Sequence, residues 1–193
     1  TVSSLKKSKY VSNIFVSTDN IKTQNIAKKL GVRAPFLRSK KASQSNSMEE
    51  DVLEDIKKKL NKKKSKPPDY VLWLRPTCPL RDIGNYIAAY KKFKRLKKSV
   101  CIVSQTDPRI FVTKDKRLIP LNLNFKKKSM VRRQDCKPAY KIFYGEFFKF
   151  PKKYNQKFLG NQVFFVEQND LCNIDIDTKK QMSIYQQMIK SDK

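Results

Sequence analysis

The alternation of short apolar runs with stretches of helical period is the feature of this sequence that most constrains its fold. Residues 70–74 (YVLWL) and 99–103 (SVCIV) are almost wholly apolar, which is typical of strands covered on both faces of a sheet. Between them, the apolar residues Ile87, Ala88, Tyr90 and Phe93 mark one side of a predicted helix. Strands that alternate with helices predict an α/β sandwich with a largely parallel sheet.

The same pattern continues along the rest of the chain. Further strands are predicted at 11–16, 140–150 and 162–166, with a small hairpin at 111–119. Further helices are predicted at 21–30, at 52–60 and at the C-terminus; the apolar residues expected to mark them are Ile21, Ile26, Ala27, Leu30, Val52, Leu53, Ile56, Leu60, Ile184, Met188 and Ile189. With 193 residues and no internal repeat, the chain is expected to form a single domain over 1–193.

The charge of the chain admits two interpretations. The formal net charge is +27, and 35 of the 44 basic residues are lysine, a skew that an A/T-rich genome would produce without any selection for binding. The alternative is an anionic partner. A basic nucleic-acid-binding domain is therefore one hypothesis, but it is not favoured, because the lysines are spread along the sequence and no known nucleic-acid-binding motif is visible.

Several classes of site and location are excluded by what the sequence lacks. There is no histidine, which removes histidine-dependent catalytic triads and imidazole zinc sites. The four cysteines (Cys78, Cys101, Cys136 and Cys172) form no CxxC pair and are expected to be reduced, most of them in the core. No apolar run is long enough to span a bilayer and no signal peptide opens the chain, so a cytoplasmic protein without a membrane partner is expected.

Two polar loops follow predicted strands, where ligands bind in open α/β sheets. The loop Ser17-Thr18-Asp19 is either part of such a site or only a cap for the next helix. The loop 75–81 (RPTCPLR) is stiffened by two prolines and carries two guanidinium groups, which suit carboxylate or phosphate. A plain surface turn is the alternative for this second loop.

The segment 173–178 (NIDIDT) is the third candidate. Asp175 and Asp177 are two residues apart, so on an extended segment their carboxylates point to the same face and are suited to sharing one Mg²⁺ ion. Alternatively, Thr178 caps the last helix and both acids lie near its positive N-terminus.

Five motifs, in order, resemble the cytidylyltransferases that make CMP-activated sialic acids and related acid sugars. The resemblance covers nearly the whole chain, and the matching stretches are Val16-Ser-Thr-Asp19, Ala34-Pro-Phe-Leu-Arg38, Leu74-Arg-Pro-Thr-Cys-Pro-Leu-Arg81, Arg133-Gln134 with Tyr140, and Ile174-Asp-Ile-Asp-Thr178. It implies a three-layer α/β/α, Rossmann-like fold of the nucleotide-diphospho-sugar-transferase type. It also implies a reaction in which an acid sugar attacks the α-phosphate of CTP and releases pyrophosphate.

The resemblance also implies roles for particular residues. Asp175 and Asp177 would be the catalytic pair that holds Mg²⁺, and the loop with Ser45, Asn46 and Ser47 would bind the nucleotide. The sugar-binding candidates are Arg75, Thr77, Arg81, Arg133, Gln134 and Tyr140. Members of the family tend to be homodimers, in which the segment equivalent to about 125–154 reaches toward the neighbour.

The sequence departs from the family pattern at several positions. Arg75 stands where glutamine is common, Gln44 where aspartate is common, and Tyr144-Gly145-Glu146 where Asn-Gly-Ala is usual, which leaves the sugar open. Nothing before Thr1 resembles the strand and the Arg/Gly/Ser/Lys loop that grip the triphosphate, and residues 2–9 resemble the helix that follows that loop. An N-terminally incomplete chain, much less active than a longer one, is therefore expected; an inactive truncated remnant of the fold is the alternative.

Overall fold

The computed structural model describes residues 2–121, 129–168 and 172–191, which form an α/β fold around one four-stranded sheet. The helices are α1 (Val2–Lys6), α2 (Ile21–Lys29), α3 (Glu49–Lys62), α4 (Ile83–Leu96) and α5 (Lys179–Ser191). The strands are β1 (Tyr70–Trp73), β2 (Ser99–Thr106), β3 (Phe111–Lys114), β4 (Arg117–Pro120), β5 (Ala139–Lys149) and β6 (Val163–Glu167). Short 3₁₀ helices cover Lys41–Ser43 and Arg133–Asp135.

The central sheet has the strand order β1-β5-β2-β6. β2 and β6 are parallel, whereas β5 runs antiparallel to both β1 and β2. Three of these four strands therefore point in one direction, which confirms the predicted α/β class with a mainly parallel sheet. The reversed strand β5 is the element that the alternation of strands and helices did not reveal.

One face of the sheet is covered by α4. Tyr86, Ala89 and Phe93 of this helix form a buried cluster with Val100 and Ile102 of β2. Gly145 of β5 is required at this contact, because a Cβ atom there would lie 2.9 Å from Cε1 of Tyr86. The helix can therefore lie close against the middle of the sheet.

The opposite face is covered by α3, which completes three layers. Val52, Leu53, Ile56 and Leu60 are the buried residues of this helix, as their spacing predicts, and they pack with Phe148 of β5. Alternate residues of β5 thus serve the two faces: Phe147 belongs to the α4 cluster and Phe148 to the α3 cluster. The burial of both faces explains the almost continuous apolar sequence of the strands.

Two predictions for the N-terminal part differ from the structure. In place of a strand over 11–16, Phe15 forms a single parallel bridge with Arg33. The backbone N–H of Val16 donates to the Arg33 carbonyl oxygen and the Arg33 N–H donates to the Ile14 carbonyl oxygen, and the pairing does not extend to a full strand within the described residues. Of the apolar residues predicted to mark the helix at 21–30, Ala27 is buried, but Ile21 and Ile26 of α2 and its C-cap Leu30 are exposed. The buried face of this helix is set by Gln24, whose side-chain amide donates to the Ala34 carbonyl oxygen at 2.9 Å.

The predicted dimerisation segment 125–154 includes β5. Its residues 125–128 lie outside the described residues, and 139–149 form β5 within the central sheet. Its role in a dimer stays a prediction. The separate hairpin of β3 and β4 forms as predicted.

The cysteines of the described chain are all free thiols. Cys78, Cys101 and Cys136 are buried, as expected for core residues, and Cys172 is partly buried. Within the described ranges, no helix has both the length and the apolar character needed to cross a bilayer.

Candidate active site

Two predicted site segments meet where β1 ends. The loop 75–81 leaves the sheet there, and the backbone N–H of Ile176 donates to the carbonyl oxygen of Thr77 at 2.8 Å. The Sγ atom of Cys78 lies 3.6 Å from Oδ1 of Asp175. The structure therefore brings the arginine-rich loop and the aspartate-containing segment into direct contact, although almost a hundred residues separate them in the sequence.

Asp175 has a cationic partner that the sequence did not suggest. Nζ of Lys141, on β5, donates to Oδ2 of Asp175 at 2.8 Å. This hydrogen bond lowers the pKa of Asp175, with a further contribution from Thr77. The Lys141 side chain remains 47% exposed, so part of its donor capacity faces solvent.

Arg75 forms the most buried ionic group of the site. Its Nη1 atom lies 3.0 and 2.9 Å from the two carboxylate oxygens of Glu146, and Nη2 lies 2.6 Å from Oε1 of Glu49. The guanidinium also lies 4.3 Å from the ring centroid of Phe143. Glu146 is only 2% exposed, and burial raises its pKa to about 7 against the opposing effect of Arg75.

The Arg75 group links elements that carry different parts of the predicted site. Glu49 is the first residue of α3, directly after the loop with Ser45, Asn46 and Ser47. In that loop Ser45 and Asn46 are exposed, and Ser47 donates to the carbonyl oxygen of Lys41 at 2.5 Å. The predicted nucleotide loop is therefore anchored beside the loop that follows β1.

Arg81 holds the loop after β1 in shape. Its Nη1 atom donates to the hydroxyl of Tyr86 at 2.8 Å and to the carbonyl oxygen of Tyr144 at 3.0 Å, and its Nη2 atom donates to the carbonyl oxygen of Arg75. Tyr86 donates in turn to the same Tyr144 carbonyl at 2.8 Å. These contacts make the loop a braced element of the fold rather than a free surface turn.

Thr178 caps the last helix, as the alternative interpretation of the aspartate segment predicted. Its hydroxyl accepts from the backbone N–H of Gln181 at 3.2 Å, and Oε1 of Gln181 accepts from the backbone N–H of Thr178 at 2.8 Å. This is a reciprocal capping box at the start of α5. Asp177 is exposed beside the cap, whereas Asp175 is partly buried in the site.

The donor set of the two aspartates suits Mg²⁺, which prefers one or two carboxylates completed by phosphate and water oxygens. Within the described ranges, no group of three or more His, Cys, Asp or Glu residues could hold a metal ion. Magnesium binding by Asp175 and Asp177 stays a prediction.

The other predicted sugar-binding residues are Arg133, Gln134 and Tyr140. Arg133 and Gln134 are exposed on a 3₁₀ helix. The ring of Tyr140 packs against that of Phe165 on β6, with 4.9 Å between centroids. Their roles remain predictions, as do those of Arg75, Thr77 and Arg81.

The motif 34–38 is joined to the first loop by an arginine. Nη2 of Arg38 donates to the carbonyl oxygen of Ser17 at 2.8 Å, and the Arg38 backbone N–H donates to the carbonyl oxygen of Thr18 at 2.7 Å. The cap of α2 is Asn20, whose side chain accepts from the N–H groups of Lys22 and Thr23. The loop Ser17-Thr18-Asp19 therefore precedes the Asn20 cap of α2 and also holds the motif 34–38 through Arg38.

Sequence reasoning missed Lys141, Glu146 and Glu49. A signal for Glu146 was available, because Arg75 and Glu146 are both among the residues that depart from the family pattern, and they are ion-pair partners in the structure. Nothing in the local sequence marks Lys141, since its role depends on a segment that lies 34 positions away.

No protein-family model matches the sequence, and no curated protein matches it. Solved structures do match the fold. A 4-diphosphocytidyl-2C-methyl-D-erythritol synthase from Anaerococcus prevotii superposes with a TM-score of 0.65 at 12% identity, covering 98% of this chain and 84% of that enzyme. A CMP:2-keto-3-deoxy-manno-octonic acid synthetase complexed with CTP gives a TM-score of 0.63 at 9% identity, covering 100% and 86%. At such identities the likeness is one of fold, and the chain has the α/β fold that these two enzymes share.

Proposed function

We propose that this chain is a cytidylyltransferase that transfers CMP from CTP to an acid sugar, a sialic acid or a related nonulosonic acid, and releases pyrophosphate. The observation that carries the proposal is the contact between the aspartate segment and the loop 75–81, made through Thr77, Cys78 and Asp175. The fold supports it, because the two solved structures described above are enzymes whose names include a cytidyl group or CMP.

Asp175 and Asp177 would hold Mg²⁺ in this function. The ion, when bound, supplies positive charge that offsets the negative charge of the triphosphate and of the departing pyrophosphate. Asp175 is suited to this role because its lowered pKa keeps it ionised, and Asp177 because its carboxylate is exposed.

Among the described residues, Lys141 is well placed to contact an anionic substrate group. It is bound to Asp175 through one donor and its ammonium is close to solvent. A lysine has three donors, so Lys141 can bind a phosphate or carboxylate oxygen without leaving Asp175. This would position the reacting group beside the aspartates.

Arg75 and Arg81 have a different role in the proposal. The donors of both guanidinium groups are used by the protein itself, on Glu49, Glu146 and backbone carbonyls. They would set the shape of the loop, and the more exposed Arg133 and Gln134 would bind the carboxylate of the sugar. CTP, the acid sugar and a second copy of the chain are the expected partners.

The proposal is tested by measuring pyrophosphate release from CTP and Mg²⁺ with a panel of nonulosonic acids and 2-keto-3-deoxy-octonic acid. The assay uses the 193-residue chain and, where the gene encodes a longer product, that product as well. Turnover of at least one acid sugar is expected, and absence of turnover by every chain tested would overturn the proposal.

Two variants and one control test whether Asp175 and Asp177 bind the metal ion. Asp175→Asn and Asp177→Asn are each expected to lower kcat by at least about 100-fold, the scale of losing one group that stabilises transition-state charge. Binding of Mn²⁺ in the presence of CTP, followed by electron paramagnetic resonance, should weaken in parallel. Asp115→Asn, an exposed aspartate on the β3–β4 turn, is the matched control and should leave both measurements unchanged.

A further inference from the structure

Two adjoining cavities lie at the end of the sheet opposite to the candidate active site. They are about 930 and 580 Å³ in volume, and both are lined by Phe93, Lys97, Lys149, Asn155 and Phe158. β1 begins there and β5 ends there, whereas the aspartate cluster lies where β1 ends and β5 begins. We refer to the two cavities together as the basic groove.

The basic groove gathers lysines that are dispersed along the sequence. The larger cavity is lined by Lys57, Lys66, Lys94, Lys97, Lys149 and Lys152. The smaller cavity adds Lys98 and Lys157. Asp69 is the only carboxylate-bearing residue among those that line the two cavities in the described chain.

Most of these lysines have no anionic partner in the described part of the chain. Lys57 lies 3.8 Å from Glu54, and Lys66 lies 3.8 Å from Asp69. Among the described residues, no carboxylate is within ion-pair distance of the other six. The groove therefore concentrates positive charge that the fold itself does not neutralise, and a concave basic surface attracts polyanions.

The groove also contains a partly exposed aromatic residue. Tyr70 is 40% exposed, its ring lies 5.6 Å from that of Phe93 between centroids, and Nζ of Lys94 lies 5.2 Å from its centroid. Proteins that bind single strands combine a basic groove along the phosphate backbone with aromatic rings on which unstacked bases lie. A run of lysines beside an accessible tyrosine has both components.

We propose that the basic groove binds single-stranded nucleic acid, with its lysines along the phosphate backbone and Tyr70 against a base. The extended, two-cavity form fits a chain of phosphates better than a single nucleotide. The eight lysines that line the groove suit a polymer in which every nucleotide carries one negative charge. The proposal is independent of the cytidylyltransferase function, since it uses none of the residues of that site.

The test is the binding of a fluorescein-labelled 20-nucleotide oligouridylate, followed by fluorescence anisotropy from 50 to 200 mM NaCl. The triple variant Lys97→Gln, Lys149→Gln and Lys157→Gln should weaken binding by about 10-fold or more. The slope of log K against log[NaCl] should become shallower by about 2, because each phosphate contact on a single strand contributes roughly 0.7 to that slope. The control triple variant Lys22→Gln, Lys28→Gln and Lys29→Gln removes the same charge from exposed positions on α2 and should change affinity less than 2-fold. Equal losses in the two triples, or no binding by the wild type, would overturn the proposal.

Two further measurements separate nucleic acid from other anions. Tyr70→Leu should weaken the binding of oligouridylate but not of inorganic polyphosphate; if polyphosphate binds as tightly and Tyr70→Leu has no effect, the assignment to nucleic acid is wrong. Excess CTP should not displace the oligonucleotide, and displacement would place binding in the candidate active site and overturn the proposal.

Acetylation of the wild-type protein gives a check that no variant can confound. Bound oligouridylate should protect Lys97, Lys149 and Lys157 from acetylation and leave Lys22, Lys28 and Lys29 reactive. Mass spectrometry reads both sets in one digest. Protection of neither set or of both sets alike would contradict binding in the groove.

Discussion

At the scale of single residues, the site depends on a buried carboxylate and the arginine that neutralises it. Glu146 and Arg75 lie in a part of the site where burial penalises charge, so each requires the other. Removing one partner of such a pair leaves the second uncompensated, whereas replacing both is often tolerated. The two residues therefore act as one unit, even though 71 positions separate them.

The pH dependence of stability should report the buried Glu146. Its pKa in the folded protein is about 7, against an ordinary value of 4.5, so between these values the folded protein binds more protons than the unfolded chain. The free energy of unfolding should therefore fall as pH rises from about 4.5 to about 7, by up to about 3 kcal/mol relative to Glu146→Gln. Urea unfolding of both proteins across this range measures the difference.

A double variant provides the comparison for this prediction. Arg75→Gln with Glu146→Ala removes both charges, and it should show the same flat profile as Glu146→Gln while being more stable than Arg75→Gln alone. A wild-type profile parallel to that of the double variant would show that Glu146 does not titrate in this range.

At the scale of elements, the end of α4 carries a residue that its backbone does not favour. Lys97, after the last turn, has φ 54° and ψ 24°, the left-handed conformation in which glycine is usual. Its backbone N–H closes the helix on the carbonyl oxygen of Phe93 at 2.8 Å. A lysine there adds charge to the basic groove at a conformational cost.

Replacing this residue by glycine should stabilise the protein. Lys97→Gly is expected to raise the free energy of unfolding by about 1 kcal/mol, because glycine adopts the left-handed conformation without a Cβ penalty. Chemical denaturation at 150 mM salt measures the change. Lys98→Gly is the control, since its φ is not positive and glycine there only adds unfolded-state entropy. A less stable Lys97→Gly protein would contradict the prediction.

Elements with strong local signals were predictable, and those set by distant partners were not. The helix α3 and the strand β1 have the expected bounds to within a few residues, because period and breaking prolines mark them. The direction of β5 and the weak pairing at Phe15 depend on which strands lie beside them, which local pattern does not encode. Within the site, the contact of the aspartate segment with the loop 75–81 follows the strand-end rule, but the pairing of Lys141 with Asp175 does not.

At the scale of the whole molecule, net charge is the dominant electrostatic property. A formal charge of +27 on 193 residues makes the folded state repel itself, because folding brings the lysines closer together than they are in the unfolded chain. The buried Arg75 pair is screened by salt much less than the exposed lysines are. Salt should therefore relieve the repulsion while leaving the site intact.

Thermal unfolding in NaCl should show this effect directly. Raising the salt from about 0.01 to about 0.1 M shortens the Debye length from about 30 to about 10 Å, and the Tm is expected to rise by several degrees. Sodium sulfate at equal ionic strength should raise it further, because sulfate also strengthens apolar burial. A Tm that falls with added NaCl would mean that attractive ion pairs outweigh the repulsion between lysines.

The course of β5 through the molecule restricts how this sequence can evolve. Near its start the strand carries Lys141 at the candidate active site; it then passes the ion pair at Glu146 and ends at Lys149 in the basic groove. The pairing of β5 with β2 is irregular between Lys141 and Gly145, where Phe143 has a φ of 86°. From Gly145 onward, successive side chains alternate between the two faces, so inserting or deleting one residue there would send Glu146 into the apolar layer under α4 and Phe147 out of it. Length changes among relatives of this protein should therefore accumulate outside residues 145–149, and those five residues should align without gaps.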